Sequence, residues 1–357
     1  MIAIKSSIYF FTIRHIKKLK LLFYLLFIAC FSCYAQNSLQ QYIHDSIELN
    51  GFSGYVLVSQ HNKIVLKKGY GKASFELDIN NTGETKFRIG SLTKQFTSAC
   101  IMLLVQKNKL NITDKLNKYL PNCPGEWKEV TIFHLLTHTS GIPELFQKLE
   151  AVPVEDTQKE IERVISSNEN KILDSFPGEK YKYSNFGYIL LGYIIEKVTN
   201  KNYSDFLHEN IFSPAGMINT LYDDPRPIIK NRAAGYRWKN RVLYNYDNSD
   251  PAGFSAGGLL STANDFVKWN VFLNSDKIFS TATKKLMFSP YKNNYALGWK
   301  VVERKGKTIQ THNGGTKGFV SCIIRDVSDD VLIVIFSNNE DETPWTYAFK
   351  ILDLVTK

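Results

Sequence analysis

The sequence is short of cysteine. Five occur among 357 residues, and two of them, Cys30 and Cys33, fall in an apolar N-terminal stretch. Cys100, Cys123 and Cys322 have neither the paired spacing of a metal site nor the density of a disulfide framework. Acidic residues are missing from the first 35 positions, where Lys5, Arg14, Lys17, Lys18 and Lys20 stand unopposed. They make up half of the formal net charge of +10, so the remaining body is only mildly basic. That body contains no concentrated Lys/Arg run and no nucleic-acid module, which excludes nucleic acid as the expected partner. Long hydrophobic runs are also lacking. The stretch Leu21–Phe31 is shorter than the roughly 20 residues a spanning helix needs. There is no internal repeat and no low-complexity linker. A composition of 44% hydrophobic, 22% charged and 13% aromatic residues excludes a disordered or collagen-like chain.

What is present begins with an address. The basic stretch Arg14–Lys20 precedes Leu21–Phe31, and Ser32-Cys33-Tyr34-Ala35-Gln36 comes next. A positive region, a short apolar core and a small residue at the cut site predict a secretory signal peptide over 1–35, cleaved after Ala35. The expectation is an exported protein, periplasmic or extracellular, with one two-lobed domain over 36–357. Two alternatives stay open: an uncleaved anchor, or a degenerate lipoprotein box at Ile28-Ala29-Cys30, with Phe27 where leucine is usual. Only these would tie the protein to a membrane.

Apolar alternation predicts strands at 53–58 and 63–68, joined by the polar turn Gln60-His61-Asn62. Further strands are expected at Tyr295–Glu303, Thr308–Thr311, Gly318–Asp326 and Val331–Ser337. Between them the pattern is helical. A helix from about Ser91 to Lys107 carries Phe96, Ala99, Cys100, Leu103 and Leu104 at helical spacing. Others are expected at Thr131–His138, Thr157–Ser167, Phe186–Thr199 and Tyr203–Asn210, with a final helix at Trp345–Val355. Thr262-Ala263-Asn264-Asp265 reads as a capping box opening one more. Strands at both ends and helices between predict an α+β fold: one antiparallel sheet from the two chain ends, plus a mainly helical lobe. The stretch from about Pro225 to Gly258 is expected as a long loop that roofs a cleft. Trp238, Tyr244 and Tyr246 within it are candidates to line that cleft.

Three short patterns carry chemistry. Ser91-Leu92-Thr93-Lys94 places a hydroxyl at a helix start, with an amine on the same face one turn on. A lysine is disfavoured there by the helix dipole. It is explained if its amine activates the Ser91 oxygen. Tyr183-Ser184-Asn185 offers a phenol that could exchange the serine proton beside Lys94, and an amide that could orient it. His312-Asn313-Gly314-Gly315 joins a histidine to glycines that admit a ligand backbone. Each has an ordinary alternative: an N-cap serine with a solvated lysine, a tyrosine packed at a helix entrance, a hairpin turn with a surface histidine. Decoys occur at Ser289–Lys292, Tyr246–Asn248 and Tyr291–Asn293. His138 and Thr139 read as a helix terminus satisfying local backbone groups, and Tyr188 and Tyr193 as core.

In their order and spacing the three patterns resemble those of the serine β-lactamase-related family: class C β-lactamases, D-Ala-D-Ala carboxypeptidases and related esterases. Leu135–Ile142, Phe176–Glu179, Ser184–Tyr188 and Ala256–Thr262 are similar to further stretches of that family. The resemblance runs from about Gly51 to Asn339. It implies the β-lactamase/transpeptidase-like fold and an acyl-enzyme serine hydrolase acting on a small-molecule or peptide substrate, with neither metal nor cofactor. Ser91 would be the nucleophile, Lys94 and Tyr183 would share proton transfer, and Asn185 would position Lys94 and substrate. His312, Asn313, Gly314 and Gly315 would border the substrate, and the N–H groups of Ser91 and Gly315 would form the oxyanion hole. Two departures stand out. His312 occupies a place where class C β-lactamases carry lysine, and Asn313 one where a hydroxyl residue is usual. Both weaken the recognition of a penicillin-type carboxylate. The expected substrate is therefore a D-amino-acid peptide, amide or ester rather than a β-lactam. A true β-lactamase or carboxypeptidase, and a slow-turnover penicillin-binding sensor, remain as alternatives.

Overall fold

The structure, a computed structural model, describes residues 38–150, 152–167, 172–246 and 253–356. The leader 1–35 and its cleavage site lie outside the described residues. Two compact units are present. One comprises the chain ends up to Asn50 and from Lys350, and residues 38–48 of it are helical. The other, Gly51–Phe349, holds every candidate site residue.

The main sheet of this second unit has six strands. β1 (Gly54–Gln60) and β2 (Lys63–Tyr70) come from the N-terminal side; β3 (Lys300–Arg304), β4 (Lys307–Thr316), β5 (Phe319–Asp326) and β6 (Val331–Ser337) come from the C-terminal side. The order is β3-β4-β5-β6-β1-β2, antiparallel throughout. β6 pairs with β1, from Gly54 opposite Ser337 to Gln60 opposite Val331, and so welds the N-terminal and C-terminal strands together. Both are central strands, and their near-continuous apolar runs are buried on both faces. β2 is one of the two edge strands; Lys63, Lys67 and Lys68 are exposed along it, which discourages pairing with another chain. The turn between β1 and β2 holds His61 and Asn62 at φ 50° and 59°, as a two-residue hairpin requires.

The helices include α1 (Thr93–Gln106), α2 (Ile132–Leu136), α3 (Thr157–Ser166), α4 (Asn185–Thr199), α5 (Tyr203–Leu207), α6 (Phe254–Gly257) and α7 (Ala263–Asn274), and the expected final helix is found at Pro344–Val355. Twelve of the 14 residues of α1 are buried, polar ones included, so it is a core helix rather than a surface stripe. Its first turn differs from expectation. Ser91 sits in a separate 3₁₀ turn, Gly90–Leu92, ahead of the α-helix proper.

Three other expectations need correction. The strand expected over Tyr295–Glu303 begins only at Lys300. Asn293 and Asn294 turn the chain at positive φ, and Gly298 (φ 78°) lies against the Lys94 backbone, so Tyr295, Leu297 and Trp299 are buried without a ladder. The long segment after Pro225 is not all loop: it holds the hairpin Tyr236–Lys239 and Val242–Asn245 as well as α6, while 247–252 lie outside the described residues. Trp238 and Tyr244 are half exposed on that hairpin, and Tyr246 hydrogen-bonds Glu340; none of the three lines the cavity beside Tyr183 and His312. The capping box at Thr262 is half made. Thr262 Oγ1 accepts the Asp265 N–H, but the Asp265 carboxylate turns to the Asn219 N–H, the Thr220 hydroxyl and Lys268.

Candidate active site

The site is built where the turn before α1 meets β4. Gly90 holds φ 51°, and a Cβ there would come within 2.7 Å of the Gly315 nitrogen. Only glycine permits both the conformation and the approach. Gly314 is equally confined: a Cβ would lie 2.1 Å from the Ile89 oxygen and 2.2 Å from Ser321 Oγ. Ser321 Oγ also donates to the Ile89 oxygen at 2.8 Å, pinning the turn to the sheet. Thus His312-Asn313-Gly314-Gly315 is not a hairpin turn but the last part of β4, paired with Ile323, Cys322, Ser321 and Val320. On its other side β4 is covered by β3 only from Lys307 to Thr311. Residues 312–316 therefore face the site as an open strand edge.

Lys94 is wholly buried. Its Nζ lies 2.8 Å from Asn185 Oδ1, 2.8 Å from the Ala256 oxygen and 3.1 Å from Ser91 Oγ. The first two partners can only accept, so Lys94 donates to both. A neutral amine then has its lone pair left for the Ser91 hydroxyl, whereas an ammonium donates to the Ser91 oxygen as well. Burial pushes the Lys94 pKa down to about 7, against the opposing pull of the Glu144 charge. Near neutrality the amine is poised between the two states.

The Tyr183 ring lies 4.8 Å from Lys94 Nζ, and its hydroxyl is near enough to Ser91 for that side chain to favour the phenolate slightly. Burial raises its pKa well above that of an ordinary phenol. A phenolate base at this position is therefore disfavoured, and a protonated Tyr183 is favoured beside Lys94. Behind Tyr183 lies His138, whose ring centroid is 4.2 Å away. The local sequence predicts a histidine serving its own helix terminus. Instead His138, at φ 56°, accepts the Ser184 N–H across 46 positions through Nδ1, at 3.1 Å. Thr139 does behave locally, pairing with Thr137.

His312 is buried, and burial together with the Lys94 charge holds its pKa down to about 3. With Nδ1–H donating to the Asn313 oxygen at 2.6 Å, Nε2 is left to accept from the Tyr295 hydroxyl at 3.0 Å. The imidazole is neutral and fully engaged. Tyr188 and Tyr193 are core residues as expected, and Tyr188 also shows its ring to Lys94 at 5.5 Å.

The structure thus brings Ser91, Lys94, Tyr183 and Asn185 into one cluster, with Gly315 against the turn that carries Ser91, and it places His312 and Asn313 beside that cluster. The decoys are elsewhere. Ser289 donates to the Lys285 oxygen, Tyr291 is exposed, and Tyr246–Asn248 runs into residues outside those described.

Sequence reasoning missed Glu144. Its carboxylate accepts the N–H groups of Asn185 at 2.6 Å and Phe186 at 3.1 Å, while Ser184 Oγ takes that of Gly187. An anion at these unpaired donors fixes the N-terminus of α4, and with it Asn185. It also missed Tyr295 and the α6 carbonyl of Ala256. Among the described residues no group of three or more His, Cys, Asp or Glu is placed to hold a metal ion, and no helix is long and apolar enough to cross a membrane. Cys100, Cys123 and Cys322 are free thiols.

Comparison with known proteins is consistent over most of the chain. A sequence model of the Beta-lactamase family matches residues 39–356. Penicillin-binding protein 4* of Bacillus subtilis (strain 168) is 29% identical over 326 residues, covering 84% of this chain and 71% of that protein. Protein flp of Staphylococcus aureus (strain MW2) is 27% identical over 325 residues, covering 86% of this chain and 64% of that protein. An octameric penicillin-binding protein homologue from Pyrococcus abyssi superposes with a TM-score of 0.79 at 26% identity, covering 90% of this chain and 77% of that one. D-amino acid amidase from Ochrobactrum anthropi SV3, complexed with D-phenylalanine, superposes with a TM-score of 0.75 at 22% identity, covering 90% and 99%.

Proposed function

This chain belongs to the β-lactamase family of serine hydrolases, and we propose that it is an exported member in which Ser91 forms an acyl-enzyme on an amide or ester. The preferred donor is a D-amino-acid peptide, amide or ester rather than a β-lactam. The observation that carries this reading is the Lys94 amine, buried, near pKa 7 and 3.1 Å from Ser91 Oγ. A general base works best when its pKa lies near the working pH.

In the proposed cycle neutral Lys94 takes the Ser91 proton as Oγ bonds to the acyl carbon. The N–H groups of Ser91 and Gly315 stabilise the oxyanion, a contribution of about 3 kcal/mol for one such donor. Tyr183, kept protonated by burial, gives its proton to the departing nitrogen or oxygen, and the Lys94 ammonium restores it. Water then attacks the ester and the same groups run in reverse. The preference against β-lactams rests on the neutral His312 imidazole, which offers a substrate carboxylate no charge. Export rests on the 1–35 leader, and a peptide or amide donor is in keeping with the penicillin-binding and D-amino acid amidase relatives.

The test is intact-mass spectrometry of the purified protein after exposure to a fluorophosphonate and, separately, to a penicillin, with Ser91→Ala alongside. A fluorophosphonate adduct on the wild type that is missing from the variant is expected. Equal labelling of the variant would overturn Ser91 as the nucleophile. Lasting penicilloylation would favour the penicillin-binding sensor over the amidase.

A further inference from the structure

We propose that His138 is the positioning residue for Tyr183: it holds the N–H groups on both sides of that residue and packs on its ring, so that the phenol reaches the departing oxygen or nitrogen. This rests on the acyl-enzyme reading above, in which Tyr183 protonates the leaving group, and adds the residue that keeps the donor in place.

Tyr183 belongs to neither a helix nor a strand, so no ladder fixes its backbone. It stands just ahead of α4, whose first N–H groups have no partner within the helix. Each of these finds one nearby. Glu144 takes the N–H groups of Asn185 and Phe186, Ser184 Oγ takes that of Gly187, and His138 Nδ1 takes that of Ser184. The His138 oxygen accepts a second N–H, that of Lys182, at 2.9 Å. In an extended segment alternate N–H groups point the same way, and Ser184 is extended at φ −135° and ψ 121°. One residue therefore grips the chain immediately before and immediately after Tyr183. The grip ends a longer seam, in which the Thr139 oxygen accepts the Gly178 N–H and the Gly141 oxygen that of Asp174.

The imidazole also packs. Its ring lies 4.2 Å from that of Tyr183 and 5.0 Å from that of Tyr188, tilted by 36° and 39°. Tyr181 and Tyr295 stand closer to perpendicular, at 5.9 Å and 4.5 Å. Because Nδ1 accepts, the neutral ring carries its proton on Nε2. Nε2 is buried and has no hydrogen-bond partner among the described residues. His138 also holds φ 56°, a conformation that few side chains adopt. An unmatched buried donor and a left-handed backbone are two local costs carried by one residue. A core that needed only volume here would avoid the first with an apolar side chain. What the two costs secure is the double grip, in which the carbonyl and the ring of a single residue reach the same segment. Burial and the Lys94 charge hold the His138 pKa well below its ordinary value, so Nδ1 stays an acceptor at neutral pH.

Two acetate esters that differ only in their leaving group test the proposal on the full chain. p-Nitrophenolate departs without a proton, so p-nitrophenyl acetate reports acylation of Ser91 alone, whereas ethyl acetate needs the proton of Tyr183. Both form the same acetyl-enzyme, and kcat/KM reports its formation. His138→Phe keeps a ring but offers the Ser184 N–H no acceptor. It should lower kcat/KM on ethyl acetate by about ten- to a hundredfold, the range for a catalytic group displaced by about 1 Å, and cost much less on p-nitrophenyl acetate. In a Tyr183→Phe background the same substitution should cost nothing further on ethyl acetate, since the group it positions is gone. A merely structural defect would add to the loss there. His138→Asn places an oxygen where Nδ1 stood and tolerates a positive φ, so it should recover part of the loss. It runs through the same cycle, and its own loss on ethyl acetate must vanish in the Tyr183→Phe background even if His138→Phe does not fold. Equal losses on the two esters, a loss that persists undiminished in the Tyr183→Phe background, an asparagine variant no better than a folded phenylalanine one, or no loss at all would each overturn the assignment. So would a wild type that acylates on p-nitrophenyl acetate but leaves ethyl acetate intact. A wild type that does not acylate on p-nitrophenyl acetate would instead sink the Ser91 reading, and this proposal with it.

Discussion

The acid limb of the acylation rate should report Lys94. With a pKa of about 7, half of the enzyme carries the neutral base at pH 7. Below that value the neutral fraction falls about tenfold per pH unit, so acylation at pH 5 should be about fiftyfold slower than at pH 7. The rate is read from the pre-steady-state burst of p-nitrophenol from p-nitrophenyl acetate between pH 5 and 9, since neither the ester nor its acyl group titrates there. His312 and His138 should not blur the limb, because both are held well below their ordinary pKa by burial and by Lys94. Glu144→Gln sharpens the test. The Glu144 anion is the charge that holds the Lys94 pKa up, so its removal should move the limb to lower pH. A burst rate flat from pH 5 to 8, a limb near the ordinary lysine value of 10.5, or a shift to higher pH in Glu144→Gln would each rule out a buried Lys94 base.

The same amine affects stability. Between pH 7 and 10.5 the unfolded chain keeps a proton that folded Lys94 has lost, so this group makes stability rise with pH across that window. The stability difference between wild type and Lys94→Met should therefore shift in favour of the wild type by up to about 5 kcal/mol over the window, as read by urea unfolding. Tyr183→Phe should cost about 10²–10⁴-fold in kcat/KM on an amide and much less on p-nitrophenyl acetate, whose leaving group departs without a proton. Gly314→Ala should lower the unfolding midpoint, because its Cβ would drive into the Ile89 oxygen, whereas Gly315→Ala, with nothing within 4 Å, should keep it. Asp223→Ala should destabilise the fold by about 3–5 kcal/mol, since it strips buried Arg88 of its carboxylate partner at 2.6 Å.

Legibility in the sequence depended on distance along the chain. Ser91 and Lys94 are three residues apart, so their meeting follows from helical geometry, and the structure joins them. The terminal strands were legible because β1 and β6 alternate or run apolar over their whole length. Glu144 was not, because a carboxylate at a helix start is informative only once the helix is known to arrive 41 positions later. Tyr295 and Trp299 read as strand by their apolar character, but burial alone does not select a ladder when Gly298 must bend against α1. His138 carries too weak a local signal: its partner, the Ser184 N–H, comes from another element.

The pairing of β1 with β6 sets an order of events in biosynthesis. Ser91 and its helix precede β4, which supplies Gly315 and the open edge, by more than half of the chain's length, so they emerge from the ribosome well before it. Until then Ser91 has Lys94 beside it but neither the wall nor the oxyanion donor that we propose β4 supplies. Such long-range closure is slow, because the intervening chain must be ordered before the final strands dock. Hydrolytic competence is thus gained in one late step, and a chain stalled or clipped before β4 would be inert rather than partly active.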